Sequence, residues 1–72
     1  MNYAEIVIAN ANENLDRVFH YGVPENLRNV IEVGMRVYVP FGMGNRRTEG
    51  YVIGFTDEID LIKVKSKYLF YS

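Results

Sequence analysis

Phe19, Tyr21, Tyr38 and Phe41 supply aromatic rings ahead of the adjacent cations Arg46 and Arg47, and Lys63, Lys65 and Lys67 follow near the chain end. Rings beside a few cations can hold single-stranded nucleic acid, because bases stack on the rings at about 1–3 kcal/mol each while the cations meet the backbone. Phe19 and Phe41 also suit a core, since a small barrel needs large apolar side chains. Tyr21 can do both, burying its ring and keeping its hydroxyl polar. Arginines in a loop are mostly solvated surface, and alternating lysines also protect an exposed strand edge.

Other chemistry is poorly supplied. There is no cysteine, and a single histidine, His20, cannot build a zinc or haem centre by itself. Hydroxyl nucleophiles are limited to Thr48, Thr56, Ser66 and Ser72, and both serines lie in the tail. Phosphate loops of the GxxxxGK[ST] or GxGxxG type are missing; Gly42-Met43-Gly44 matches only the first three positions of the latter. Asp57, Glu58 and Asp60 cluster at a turn and read as solvated surface rather than an acid/base pair. No enzyme, metal or nucleotide cofactor is expected.

Seventy-two residues and 8.4 kDa allow one domain, which buries roughly 60% of its extended-chain surface on folding. With 49% hydrophobic and 24% charged residues, the composition is that of a folded globular chain. No apolar run approaches the ~18 residues of a membrane span and no basic n-region opens the chain, so a cytoplasmic protein is expected. The net charge is −1, but it is unevenly spread. Residues 1–32 carry a local balance of −3, residues 33–56 carry +2 through Arg36, Arg46 and Arg47 against Glu49, and the tail is balanced. A long duplex track needs more cations than this, whereas contact with a few nucleotides does not.

The elements that must position these groups are short strands. Ala4, Ile6 and Ile8 alternate with Tyr3, Glu5 and Val7 in a first strand, and Asn10–Asn14 makes a turn-rich loop. Arg17–Tyr21 is a second strand, with Phe19 and Tyr21 opposite Val18 and His20. Pro24 starts a turn, in which Leu27, Val30 and Ile31 share a face too short for a stable helix. Met35–Val39 alternates cleanly with Val37 and Val39 inward, up to Pro40. Residues 41–47 read as a flexible hairpin loop carrying Arg46 and Arg47. Thr48–Phe55 forms a fourth strand whose Gly50 and Gly54 signal bulges or close backbone approach, and Leu61–Lys65 a fifth. The expected fold is all-β, a small OB-like antiparallel β-barrel of about five strands.

Three segments carry a resemblance. Leu15-Asp16-Arg17-Val18-Phe19-His20-Tyr21-Gly22-Val23-Pro24-Glu25 resembles the L-x-R-x-F-D-Y-x-V-P-E opening of the primosomal replication-restart helicase family. Gly34-Met35-Arg36-Val37-Tyr38-Val39-Pro40-Phe41-Gly42 is similar to its G-x-R-V-x-V-P-F-G segment, and Gly50-Tyr51-Val52-Ile53-Gly54 to its G-x-V-x-G strand. Order and spacing agree across roughly residues 1–65. The resemblance implies an N-terminal 3′ DNA-end-binding domain over residues 1–65, with 66–72 a tail or the start of a downstream domain. Its implied partner is the 3′ end of single-stranded or nascent leading-strand DNA at a stalled fork, with other primosome proteins and the parent helicase's downstream domains as further partners. Unwinding would belong to those downstream domains, and the sequence would then be an isolated domain, a truncated reading frame or a fragment.

By motif position, the resemblance implies a 3′-terminal nucleotide pocket of Phe19, His20, Tyr21, Gly42 and Lys65, with Lys63 and Lys67 as alternatives to Lys65. One position departs from the family, which has Asp where this chain has His20. A carboxylate accepts a hydrogen bond from a 3′-hydroxyl at any neutral pH, whereas imidazole accepts only through an unprotonated nitrogen. The competing reading is a small β-barrel that docks a protein or a neighbouring domain through exposed Tyr and Phe residues. Salt distinguishes the two, since phosphate contact weakens with added salt and apolar docking does not.

Overall fold

The strand expected from Ala4, Ile6 and Ile8 is present as β1, Tyr3–Ile8, and those three side chains are buried while Tyr3, Glu5 and Val7 alternate outward. The computed structural model describes residues 2–9, 18–57 and 67–71. β2 is Phe19–Gly22, β3 is Arg36–Phe41 and β4 is Arg46–Thr56. Among the described residues the only helical element is one 3₁₀ turn, Glu25–Leu27, opened by the Leu27 amide donating to the Pro24 carbonyl at 2.9 Å. Of the three apolar residues assigned to one face there, Leu27 is half-buried and Ile31 buried, while Val30 is exposed. A single turn cannot keep three side chains on one face.

The sheet is antiparallel in the order β2-β1-β4-β3. β4 is long because it serves two partners: Arg46–Tyr51 pairs with β3 and Gly50–Thr56 pairs with β1. The β1–β4 register shifts between Glu5 and Ile6, which pair with Gly54 and Val52, so Ile53 is an extra residue. Such a bulge bends the strand and increases its twist, which curls the sheet into a half-barrel. The close approach expected at Gly50 is real, for a β-carbon there would sit 2.6 Å from Ile6 Cγ2.

Inside the curl lie Ala4, Ile6, Ile8, Tyr21, Val23, Ile31, Val37, Val39, Val52 and Leu69, bordered by Phe19, Leu27, Phe41 and Phe55. The order leaves β2 and β3 as edges, and residues 67–71 lie between them. Gly22 donates to the Lys67 carbonyl at 2.8 Å and accepts from Leu69 at 3.0 Å, while Tyr38 and Phe70 exchange backbone bonds at 2.9 and 2.8 Å. The stretch set apart in sequence as a tail thus spans the gap between the edges and buries Leu69. Four strands are described; the fifth expected over Leu61–Lys65 and the loop over Asn10–Asn14 lie outside the described residues. The result is a small all-β, OB-like domain. No helix among the described residues is long and apolar enough to cross a membrane.

Candidate nucleic-acid interface

Strand alternation decides where the motif residues go. In the β1–β2 register Ala4 faces Tyr21 and Ile6 faces Phe19, so both rings lie on the core side. Phe19 meets Phe41 edge to face, with ring centroids 5.1 Å apart and planes at 84°. Tyr21 is 6% exposed, and its hydroxyl donates to the Pro40 carbonyl at 2.9 Å. Burial raises its phenol above the ordinary value, so the group stays protonated and keeps donating at neutral pH. These two contacts join the edge strands at the end of the barrel where β3 runs into its turn.

Gly42 opens that turn with φ +70°, a left-handed conformation that costs other L residues roughly 1–2 kcal/mol. It is exposed, and among the described residues no group beyond its chain neighbours comes within 4 Å of where its β-carbon would be. Asn45 closes the turn, its amide donating to the Gly42 carbonyl at 3.2 Å. Lys67 reaches the same turn, its ammonium donating to the Asn45 side-chain oxygen. Lys65 and Lys63 lie outside the described residues, so Lys67 is the tail lysine whose position is defined.

His20 goes elsewhere. It pairs in register with Glu5, on the face of β2 opposite Phe19 and Tyr21, and its Nε2 is 3.7 Å from the Glu5 carboxylate. The carboxylate stands beside Gly54, where a β-carbon would overlap it. Consecutive strand residues must face opposite ways, so one strand cannot present Phe19, His20 and Tyr21 to one side. The structure therefore gathers Phe19, Tyr21 and the Gly42 turn, and sets His20 on the outer face with Glu5.

Arg46 and Arg47 were expected in a flexible loop. Instead only residues 42–45 form the turn, and both arginines open β4, opposite Phe41 and Pro40. The same alternation splits them. Arg46 shares its strand face with Thr48, Gly50 and Val52, next to the Phe41 end of the barrel, whereas Arg47 lies over the Tyr38 ring at 4.3 Å. The signal was present in sequence: counting back by two from Val52 reaches Arg46. The glycines of the turn hid it by making the loop look longer.

Among the described residues no group of three or more His, Asp or Glu stands close enough to hold a metal ion. What the end of the barrel offers is a pair of rings, an open glycine turn and two cations, which suits contact with a base and a phosphate rather than bond cleavage.

Comparison with known proteins agrees with this chemistry. The chain matches the PriA family of 3′ DNA-binding domains (3′BD) over residues 5–69. It is similar to the replication restart protein PriA of Bacillus subtilis (strain 168), 41% identical over 61 residues, which are 85% of this chain. The chain spans about 7% of that relative's length. A comparison with solved structures gave no match.

Proposed function

The chain belongs to the PriA 3′ DNA-binding domain family, and from that premise we propose that the end of the barrel around Phe19, Phe41 and Gly42 holds the 3′-terminal nucleotide of a DNA strand. The observation that carries this reading is the convergence of one aromatic pair, one open turn and two cations at a single end of the sheet. The terminal base packs against the Phe19–Phe41 edge, and the Gly42 turn lets backbone approach the sugar without a side chain in the way. Arg46 and a tail lysine, Lys65 or Lys67, meet the last phosphate. Tyr21 acts from beneath, fixing β3 through Pro40. His20 lies on the opposite face of β2 beside Glu5 and is left out of this arrangement.

In the longer protein the strand so held is the nascent leading strand at a stalled fork. The domain binds, and the unwinding it serves is carried out by motor domains in other parts of that protein. Further primosome proteins and a cytoplasmic setting belong to the same proposal.

The test is fluorescence anisotropy with a short single strand ending in a 3′-hydroxyl, against the same strand 3′-phosphorylated, at low and moderate salt. Tighter binding of the hydroxyl end, weakened by salt and by Arg46→Ala in a sample that melts like the parent, is the expected result. Equal affinity for both ends would sink the end-pocket reading.

A further inference from the structure

The outer face of β3 carries a second group of aromatic and cationic side chains that the end pocket does not use. Tyr38 and Phe70 stack with centroids 6.5 Å apart and planes 17° from parallel. The Arg47 guanidinium lies 4.3 Å from the centre of the first ring and 5.2 Å from the second. Beside them an open cleft of about 190 Å³ is lined by Met35, Arg36, Tyr38 and Tyr71. Phe70 and Tyr71 are 38% and 44% exposed, so two consecutive rings are open to solvent. Arg36 is also exposed, 3.8 Å from the Glu49 carboxylate.

This combination selects its ligand. The cleft is below the ~300–1,000 Å³ of pockets that enclose a drug-sized molecule, and it is open on one side. Its volume leaves room for one flat ring beside the tyrosines that line it. A guanidinium stacked on aromatic rings is held in plane, the geometry that matches phosphate oxygens. A protein-docking face would be expected to centre on fully apolar side chains and to keep charge at the rim, whereas here an arginine sits at the middle of the aromatic group.

The two sites are also physically connected. Lys67 contacts the Gly42–Asn45 turn, and Phe70, three residues on, pairs with Tyr38. Extended backbone covers at most about 10 Å over that separation, so the end site and the outer face lie side by side along one strand of polypeptide.

We propose that the Tyr38–Phe70–Arg47 stack and the adjoining Tyr71 cleft form a second platform for single-stranded DNA, taking an unpaired base and phosphate interior to the 3′ end. The proposal rests on the end-binding reading for its direction along the strand, but its chemistry stands independently. Stacking is sequence-tolerant because every base has a π-face. The platform therefore lengthens the footprint on the strand without adding base readout.

The experiment compares a dinucleotide with a ten-nucleotide single strand, each with a 3′-hydroxyl, and adds the longer strand with a blocked 3′ end. The platform predicts that the longer strand binds about tenfold more tightly, a gain in the range of one base stack. Tyr71→Ala and Arg36→Ala should each erase most of that gain and leave dinucleotide affinity unchanged. Tyr71 and Arg36 are both exposed, Arg36 on an edge strand, so both variants are expected to melt like the parent. Failure of the end reading shows separately, as equal binding of the blocked and unblocked long strands. If that equal binding still falls in Tyr71→Ala, the platform stands without the pocket. Affinity independent of length, or a length gain untouched by both variants, overturns the platform and leaves this face to a protein partner.

Discussion

The hydroxyl of Tyr21 donates a 2.9 Å hydrogen bond to the carbonyl oxygen of Pro40. Tyr21 lies in β2 and Pro40 in β3, the two strands at opposite edges of the sheet, so the bond joins those edges directly, beside the stretch where residues 67–71 bridge them through backbone bonds. Proline has no amide to give a neighbouring strand, which suits it to an edge. Phe19 and Phe41 make the same crossing by packing. The candidate pocket is therefore built at a seam, where two edges meet through side chains rather than a continuous ladder.

Tyr21→Phe keeps the ring and removes the hydroxyl. The Pro40 carbonyl then loses this partner in a part-buried position, and the chain should lose about 1 kcal/mol of stability, the usual scale for one hydrogen bond. Urea titration of both proteins checks this. An unchanged midpoint would mean that the seam does not depend on the bond.

Alkaline pH tests the same group from another side. Burial raises the Tyr21 phenol in the folded state above its ordinary value of 10.0. A raised folded value means that the neutral form is favoured by folding. The associated stability is fully present below pH ~10 and is lost as pH rises through the folded value. Thermal melts at stepwise higher pH should show this loss in the parent, and Tyr21→Phe should show a shallower one.

Leu69 is 1% exposed and sits between two residues that pair with opposite edges of the sheet. Leu69→Ala should cost about 2–5 kcal/mol, the range for a buried leucine. Hydrogen exchange should quicken at the amides of Gly22, Leu69, Tyr38 and Phe70, the donors of the bonds that hold this segment. If exchange there matches the parent while stability is unchanged, the segment is not part of the cooperative fold.

Gly42→Ala meets no steric obstacle among the described residues beyond its chain neighbours, but it places an L side chain at φ +70°. The strain is expected to cost about 1 kcal/mol. If the turn approaches the terminal sugar, affinity for a 3′-hydroxyl strand should fall further than the loss of folded protein explains. Anisotropy measured well below the melting temperature separates the two effects.

Much of this was readable from residue type and spacing. Alternation over Tyr3–Ile8 and Met35–Val39 located two strands and their buried faces, because each side chain's face depends only on its parity along its own strand. The motifs around Phe19-His20-Tyr21 and Pro40-Phe41-Gly42 marked the family, because each is a contiguous run of residue types. Parity also bore on His20 and Arg46, since neighbours in a strand cannot share a face, yet the motif read as a block and the glycine-rich turn obscured it. Tertiary structure alone decided the rest. That Tyr21 bonds Pro40, that Lys67 reaches Asn45 and that residues 67–71 bridge β2 and β3 are contacts between segments 19 or more residues apart. Gly54 signalled a bulge in β4, but those pairings depend on how far the sheet curls and on the order of the strands, which no local pattern encodes, because curvature and closure are properties of the whole sheet.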